Sequence, residues 1–190
     1  MLGFGKKRPR TAMQLLHDGG WQCGQCERIH NWPFDLAAYA PDPWPNASEY
    51  EENGALRMEG NFLSEDFCIL DGKYFMIRAV LTIPVHGMDE PFGFGCWSTL
   101  SREHFEEYLE EFDIGHDGEA PLWSGWLCNH LADYVGKEPL AIWVQPRPNR
   151  QRPLLWVMDD GHPLAVAQEE GISADRMLEI FEIYGHGPNR

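Results

Sequence analysis

The stretch that decides the fold runs from residue 66 to residue 85 and reads DFCILDGKYFMIRAVLTIPV. Asp71-Gly72 is a turn pair that tolerates positive φ, and extended apolar segments flank it on both sides. After the turn, alternate residues form one apolar series: Phe75, Ile77, Ala79, Leu81, Ile83 and Val85. A period of two with one apolar face predicts a β-hairpin whose second strand packs on a core.

The segments after this hairpin predict one more strand and then mostly helices. Residues 92–99 indicate a glycine-interrupted return strand, and residues 101–112 a helix with one apolar stripe. The later elements are a short helix around residues 126–134, strands at 140–145 and 154–158, and a helix over 173–184. This order predicts an α+β fold, with a mainly antiparallel sheet of about five strands and helices packed on it.

The N-terminal part divides into a tail, a head and a strap. Residues 1–20 predict a basic tail and a short helix that ends at paired glycines. Residues 21–32 form a Cys-x-x-Cys head, which is too small to hold a core of its own. Residues 33–46 form a proline-rich strap, and residues 47–190 form the body. We interpret residues 21–190 as a single domain.

The head carries the candidate metal ligands. Cys23 and Cys26 have the two-residue spacing that lets two thiolates bind one zinc ion, and His30 can supply an imidazole. Three ligands do not close a structural zinc site, and Cys68 is the best protein candidate for the fourth position. Water in that position, or a free thiol pair without metal, are the alternatives. A thioredoxin-like redox role is less favoured, because that chemistry places the pair at a helix N-terminus in a βαβ unit.

The chain is strongly acidic, with 30 Asp and Glu against 15 Lys and Arg and a formal net charge of -15. A field of this sign repels phosphate backbones and anionic lipids, so we expect neither nucleic acid nor a membrane as partner. The charge by itself favours a surface that serves solubility. The sharper hypothesis is a basic protein partner, for which the glutamates of residues 103–111 offer a docking face.

The cysteine count and the N-terminus indicate the compartment. Five cysteines, without a secretion signal, favour reduced thiols over a disulfide framework. No stretch approaches the ~18 consecutive apolar residues of a membrane span. We therefore expect a cytoplasmic protein.

A series of motifs resembles a known family. They are Trp21-x-Cys23-x-x-Cys26-x-x-x-His30, Asp66-x-Cys68-Ile69, Ile77-Arg78, Leu81-x-Ile83-Pro84-Val85, Glu90-Pro91-Phe92-x-x-Gly95-x-Trp97-x-x-Leu100-Ser101, Gly125-Trp126-Leu127, Arg152-Pro153-Leu154, His162-Pro163-Leu164-Ala165 and Gly171-Ile172. Together they resemble an uncharacterised family of small bacterial proteins, a conserved domain of unknown function, over roughly residues 21–180.

The resemblance supports the fold and groups Cys23, Cys26, His30 and Cys68 as a set. The residue after the second cysteine is usually glycine in that family and is Glu27 here, at a position where a zinc knuckle favours positive φ.

Two functions from different classes fit these features. The first is a non-enzymatic cytoplasmic binding protein with a structural zinc site and an acidic docking surface, for which an immunity or antitoxin-like role fits. The second is a zinc-dependent enzyme, a hydrolase by class, in which Cys23, Cys26 and His30 leave an open position for water.

Overall fold

The fold is organised around one curled sheet. The computed structural model describes residues 10–45, 49–115, 121–132, 134 and 138–189. The helices are α1 (Ala12–His17), α2 (Arg102–Glu111), α3 (Pro163–Glu170) and α4 (Ala174–Ile183), with a 3-10 turn at Asn53–Ala55. The strands are β1 (Trp21–Gln22), β2 (Ile29–His30), β3 (Leu36–Ala37), β4 (Phe62–Leu63), β5 (Phe67–Leu70), β6 (Tyr74–Ile83), β7 (Phe92–Leu100), β8 (Trp123–Trp126), β9 (Ala141–Gln145) and β10 (Leu154–Val157). Nearly all of the predicted basic tail, residues 1–9, lies outside the described residues.

Within the described residues, the main sheet has eight strands, in the order β3-β7-β6-β10-β9-β8, with β4 and β5 joining beside β6. The pairs β6–β10 and β3–β7 are parallel and the others are antiparallel. The sheet curls until Leu127, directly after β8, bridges Ser98 in β7. The α+β class and the mainly antiparallel arrangement are confirmed, whereas the expected size of about five strands was too small.

The central hairpin turns at the predicted position. Asp71 and Gly72 both have positive φ, at 56° and 63°, and Leu70 pairs with Tyr74 across the turn. The alternating apolar series from Phe75 to Val85 is buried throughout. This face belongs to the main core, which α2, α3 and α4 complete.

The opposite face of the sheet is covered over its β4–β7 half by the strap. Leu63, Cys68, Met76 and Trp97 form a second, smaller cluster there, and Ala38, Ala40 and Trp44 of the strap pack against it. The strap also adds β3 to the edge of the sheet beside β7. The prolines of the strap therefore do not prevent two of its residues, Leu36 and Ala37, from pairing with β7.

The helix expected around residues 126–134 is wrong. Trp126 ends β8, and the described residues from Leu127 to Tyr134 contain no helix. The physical reason is that the backbone N–H groups of Cys128, His130 and Ala132 donate to groups of other segments: the Trp97 carbonyl, the Asp42 carboxylate and the Tyr184 hydroxyl. At Gly125, a Cβ atom would stand 2.3 Å from the Thr99 carbonyl oxygen, so β8 approaches β7 more closely than a larger residue would permit.

Helix α3 was not predicted from the sequence. His162 caps its N-terminus and Pro163 occupies its first turn, where a missing N–H costs nothing. On its buried face, the Gln168 side chain accepts from the Val157 N–H and donates to the Leu155 carbonyl. This polar contact holds α3 against β10.

Candidate metal centre

The Cys-x-x-Cys head is a small hairpin whose turn contains both cysteines. Trp21 pairs with His30, and the Cys23 N–H donates to the Arg28 carbonyl at 2.8 Å. Inside the turn, the N–H groups of Gln25 and Cys26 both donate to Sγ of Cys23 at 3.4 Å. Two backbone donors aimed at one sulfur stabilise its thiolate form. The turn therefore has a geometry that could hold a metal ion.

Glu27 adopts the conformation that a knuckle requires at its position. Its φ is 59°, in the left-handed region that favours glycine. The departure from the family's usual glycine therefore leaves the turn geometry intact, at a conformational cost for Glu27.

Four side chains meet at this turn: Cys23, Cys26, His30 and His186. Their ligand atoms all lie within 4.8 Å of one another, and Sγ of Cys26 is 3.3 Å from Nε2 of His30. In tetrahedral zinc sites, the bond lengths place neighbouring ligand atoms roughly 3.3–3.8 Å apart. A slight contraction of the cluster would therefore satisfy zinc, and two sulfurs with two imidazoles form a donor set that zinc commonly has.

His186 reaches the turn because of the way α4 ends. Gly185 has a φ of 76°, the His186 N–H donates to the Phe181 carbonyl at 2.7 Å, and the Gly185 N–H donates to the Glu182 carbonyl at 3.0 Å. These bonds are those of a Schellman motif, which reverses the chain after the helix. The indole N–H of Trp21 then fixes the His186 carbonyl at 2.7 Å.

The ring of His186 has a nitrogen with unmet bonding capacity. Its Nδ1 is buried, and no group of the described residues forms a hydrogen bond with it. Such a nitrogen is costly unless it finds a partner. A metal ion held with the two cysteines and His30 would provide one.

The segment after His186 pairs with the head. The Gly24 N–H donates to the Gly187 carbonyl at 3.0 Å, and the Asn189 N–H donates to the Gln22 carbonyl at 2.8 Å. Between them, Cys23 and Pro188 form an antiparallel bridge. The candidate centre therefore lies where residues 21–30 and residues 185–189 join.

The local environment favours the metal-binding forms of two ligands. The backbone hydrogen bond from Cys26, and less strongly that from Gln25, hold the pKa of the Cys23 thiol below its usual value. Burial, with smaller contributions from His186 and Arg28, lowers the pKa of His30. A thiolate and a neutral imidazole are the states that bind metal.

Aromatic side chains surround the buried ring of His30. His30 is only 8% exposed, and its ring centroid lies 4.0 Å from that of Phe34 and 5.6 Å from that of Trp21. Phe181 of α4 packs on both of these aromatic rings. Rigid packing of this kind fixes the direction from which His30 approaches the cluster.

The structure does not bring Cys68 to the cluster. Cys68 is fully buried in β5, opposite Met76 and under the strap, in the second hydrophobic cluster. Burial raises the pKa of its thiol to about 12, which keeps it protonated. The fourth member of the group that could hold a metal ion is His186, and not Cys68 as expected from the sequence.

The sequence contained one signal for His186. Gly185-His186-Gly187 follows directly after the predicted end of the last helix. A glycine at that point predicts a left-handed cap, and the residue after it turns back toward the helix. The sequence indicated the direction of this turn, but it did not indicate that the turn would bring His186 to the Cys-x-x-Cys head.

The fold and the cluster define an α+β protein with a candidate two-cysteine, two-histidine metal centre. The chain belongs to the family described as an uncharacterized protein conserved in bacteria (DUF2199), whose profile matches residues 22–172. The matched range contains Cys23, Cys26 and His30 and ends before His186. No curated protein and no solved structure matches the chain. Among the described helices, none has the length and apolar character needed to cross a membrane.

Proposed function

We propose that this chain is a non-enzymatic cytoplasmic binding protein in which a structural zinc ion fastens the head to the segment after α4. The observation that carries the proposal is the convergence of four ligand atoms, from Cys23, Cys26, His30 and His186, within 4.8 Å. Structural zinc sites have four protein ligands, whereas catalytic sites keep one position open for water. The place of His186 therefore supports the closed site over the hydrolase alternative with an open Cys-Cys-His site.

The proposed cytoplasmic location agrees with the absence of disulfide bonds among the five cysteines. All five cysteines are free, including Cys96 in the main core and Cys128 beside the second cluster. Free thiols persist in a reducing environment. This supports the cytoplasmic part of the proposal.

The binding part of the proposal rests on charge. Glu103, Glu106 and Glu110 are exposed on α2, and Arg102 pairs with Glu106 at 2.9 Å. Like charges at i, i+4 cost a helix a few tenths of a kcal/mol, so this face carries charge at the expense of helix stability. Together with a net charge of -15, it supports docking onto a basic protein, as an immunity or antitoxin-like role would require.

Elemental analysis and partner capture test the two halves of this proposal separately. Untagged wild-type protein should contain about one zinc per chain, as expected for a single closed site. A variant with Glu103, Glu106, Glu107 and Glu110 changed to Gln should capture fewer basic proteins from a bacterial lysate. The matched control changes four exposed glutamates elsewhere, Glu52, Glu59, Glu169 and Glu170, to Gln. Equal capture by both variants would contradict the docking role of α2, and protein without zinc would contradict the structural site.

A further inference from the structure

The outer face of the sheet is covered over only part of its width in the described chain. The strap covers the β4–β7 half, where Trp97 is fully buried. On the β8–β10 half, three tryptophans point outward and are 51%, 41% and 37% exposed: Trp126, Trp143 and Trp156. Their strand neighbours, among them Ile142 and Leu155, point into the core. We call these three tryptophans the tryptophan face.

The register of the strands places these side chains side by side. Trp143 lies directly opposite Trp156, and on its other side it lies opposite Ser124. Trp126 is two residues beyond Ser124 and on the same face. Side chains opposite each other in an antiparallel pair are about 5 Å apart at Cβ, so the face crosses three strands. Gln145 fixes one of the rings, because its Oε1 accepts from the Trp156 indole N–H at 3.1 Å.

The three tryptophans together expose a sizeable apolar surface. At these exposures, three tryptophans leave roughly 300 Å² of mostly aromatic surface in contact with water. A contiguous patch of that order on a monomer is often an interaction site. Tryptophan is also among the residues most enriched at the centres of protein interfaces.

Charge selects among the occupants of such a face. A second copy of this chain carries the same net charge of -15 and is repelled. Single-stranded nucleic acid stacks on aromatic rings, but it needs cationic side chains along its backbone. A cationic segment is attracted at long range by the field of the protein. At short range it is attracted by the indole rings, since tryptophan binds cations more strongly than tyrosine or phenylalanine does.

Exposed carboxylates lie at one end of the face. Asp159 and Asp160 follow β10 after Met158, and Glu138 lies shortly before β9. All three are exposed and stand near the end of the face that carries Trp126, since Met158 hydrogen-bonds to Ala141 and Ala141 pairs with Trp126. These carboxylates could pair with some cationic groups of a bound segment while neighbouring cationic groups stack on the indole rings. The loop at the other end carries arginines, of which Arg150 and Arg152 pair with carboxylates of other segments.

We propose that the tryptophan face binds an arginine- or lysine-rich segment of the basic partner protein. This deepens the proposed function and rests on it, because it takes the basic partner as given and assigns the surface that holds it. The cationic groups stack on Trp126, Trp143 and Trp156, and neighbouring ones pair with the carboxylates at the Trp126 end of the face.

The experiment uses a ten-residue peptide of alternating arginine and glycine as the probe, with glutamine in place of arginine in the control peptide. Isothermal titration calorimetry measures both against the wild-type chain at low and moderate salt. Changing Trp143 and Trp156 together to Leu keeps apolar surface but removes the aromatic rings, and we expect about tenfold weaker binding of the arginine peptide. Changing the same pair to Phe keeps aromatic rings and should weaken binding only about two- to threefold.

The outcomes separate this inference from the proposed function. If the Leu variant binds the arginine peptide as the wild type does, while the Gln variant of the α2 glutamates loses binding, the tryptophan face is overturned and the acidic docking role stands. If the wild type binds neither peptide, the tryptophan face is overturned, and partner capture by the α2 variant still decides the acidic docking role. If sedimentation shows a wild-type dimer that the Leu variant lacks, a second copy occupies the face and the inference is overturned. A circular dichroism spectrum and a urea midpoint like those of the wild type confirm that each variant has folded.

Discussion

The imidazole rings of His30 and His186 lie with their centroids 5.1 Å apart and at 89° to each other. One follows the Cys-x-x-Cys turn, and the other follows the cap of α4. Phe34 packs against both rings, at 4.0 Å and 5.4 Å between centroids. The relationship thus joins two segments that are far apart in the sequence, and it makes His186 the residue whose removal tests the centre most directly.

Changing His186 to Ala should lower the zinc content well below one per chain after dialysis against a chelator, because a three-ligand site holds zinc less tightly than a closed one. The matched control is Cys68→Ala, which removes a thiol from the second hydrophobic cluster and should leave the zinc content unchanged. Elemental analysis of both variants measures this. Zinc lost from the Cys68 variant and kept by the His186 variant would reverse our assignment of the fourth ligand.

Changing Glu27 to Gly should stabilise the protein by about 0.5–1 kcal/mol. A non-glycine residue at positive φ costs about 1–2 kcal/mol, and the greater freedom of glycine in the unfolded chain offsets part of that gain. Urea denaturation measures the change. Glu27→Ala removes the same charge but keeps a Cβ atom at a φ of 59°, so it should give no comparable gain. A gain that is equal in both variants would point to charge as the cause.

Changing Gly185 to Ala should destabilise the protein by about 1–2 kcal/mol and weaken zinc binding, because it strains the cap that positions His186. The new Cβ atom would also stand 1.9 Å from Oε1 of Gln25, so that side chain must move. Gly60→Ala is the matched control, since Gly60 has a similar φ of 72° with nothing within 4 Å. We expect the control to lose stability but to bind zinc as the wild type does. Equal zinc affinity in the Gly185 and Gly60 variants would show that the cap of α4 does not position a zinc ligand.

The stability of the metal-free protein should fall as the pH is lowered through the mid-6 range. Burial lowers the pKa of His30 in the folded chain. As the pH falls, His30 is therefore protonated in the unfolded chain before it is protonated in the folded one, and this stabilises the unfolded chain relative to the folded one. The contribution of His30 is therefore present above its unfolded pKa and is lost as the pH falls. Urea midpoints between about pH 8 and pH 5 measure it, on the basis of the usual pKa of histidine. His30→Phe should flatten this dependence, and an unchanged slope would assign it to other groups.

The central hairpin could be predicted because its signals are local. Asp71-Gly72 and the alternating series after it determine the turn and the buried face, and the structure confirms both. The two-residue strands β3 and β4 are too short to show a period, and they exist only because neighbouring strands pair with them. The sheet is therefore larger than its sequence patterns indicated.

The candidate centre was predictable at the head and not at the fourth position. The spacing of Cys23, Cys26 and His30 is a local pattern that the turn converts directly into proximity. Cys68 and His186 both lie far from the head in sequence, so only the folded chain distinguishes them. The strap covers Cys68 within the second hydrophobic cluster, so Cys68 is not part of the candidate centre.

The pairing of residues 21–30 with residues 185–189 has a consequence for the unfolded chain. A metal ion shared by His30 and His186 would close most of the polypeptide into one loop. In the chain-entropy model, a cross-link around a loop of that length removes about 5 kcal/mol of conformational freedom from the denatured ensemble. An unfolded chain would have to give up that freedom to bring both ends to one ion, so such a metal would bind the folded chain in preference, and its binding free energy would add to the stability of the fold.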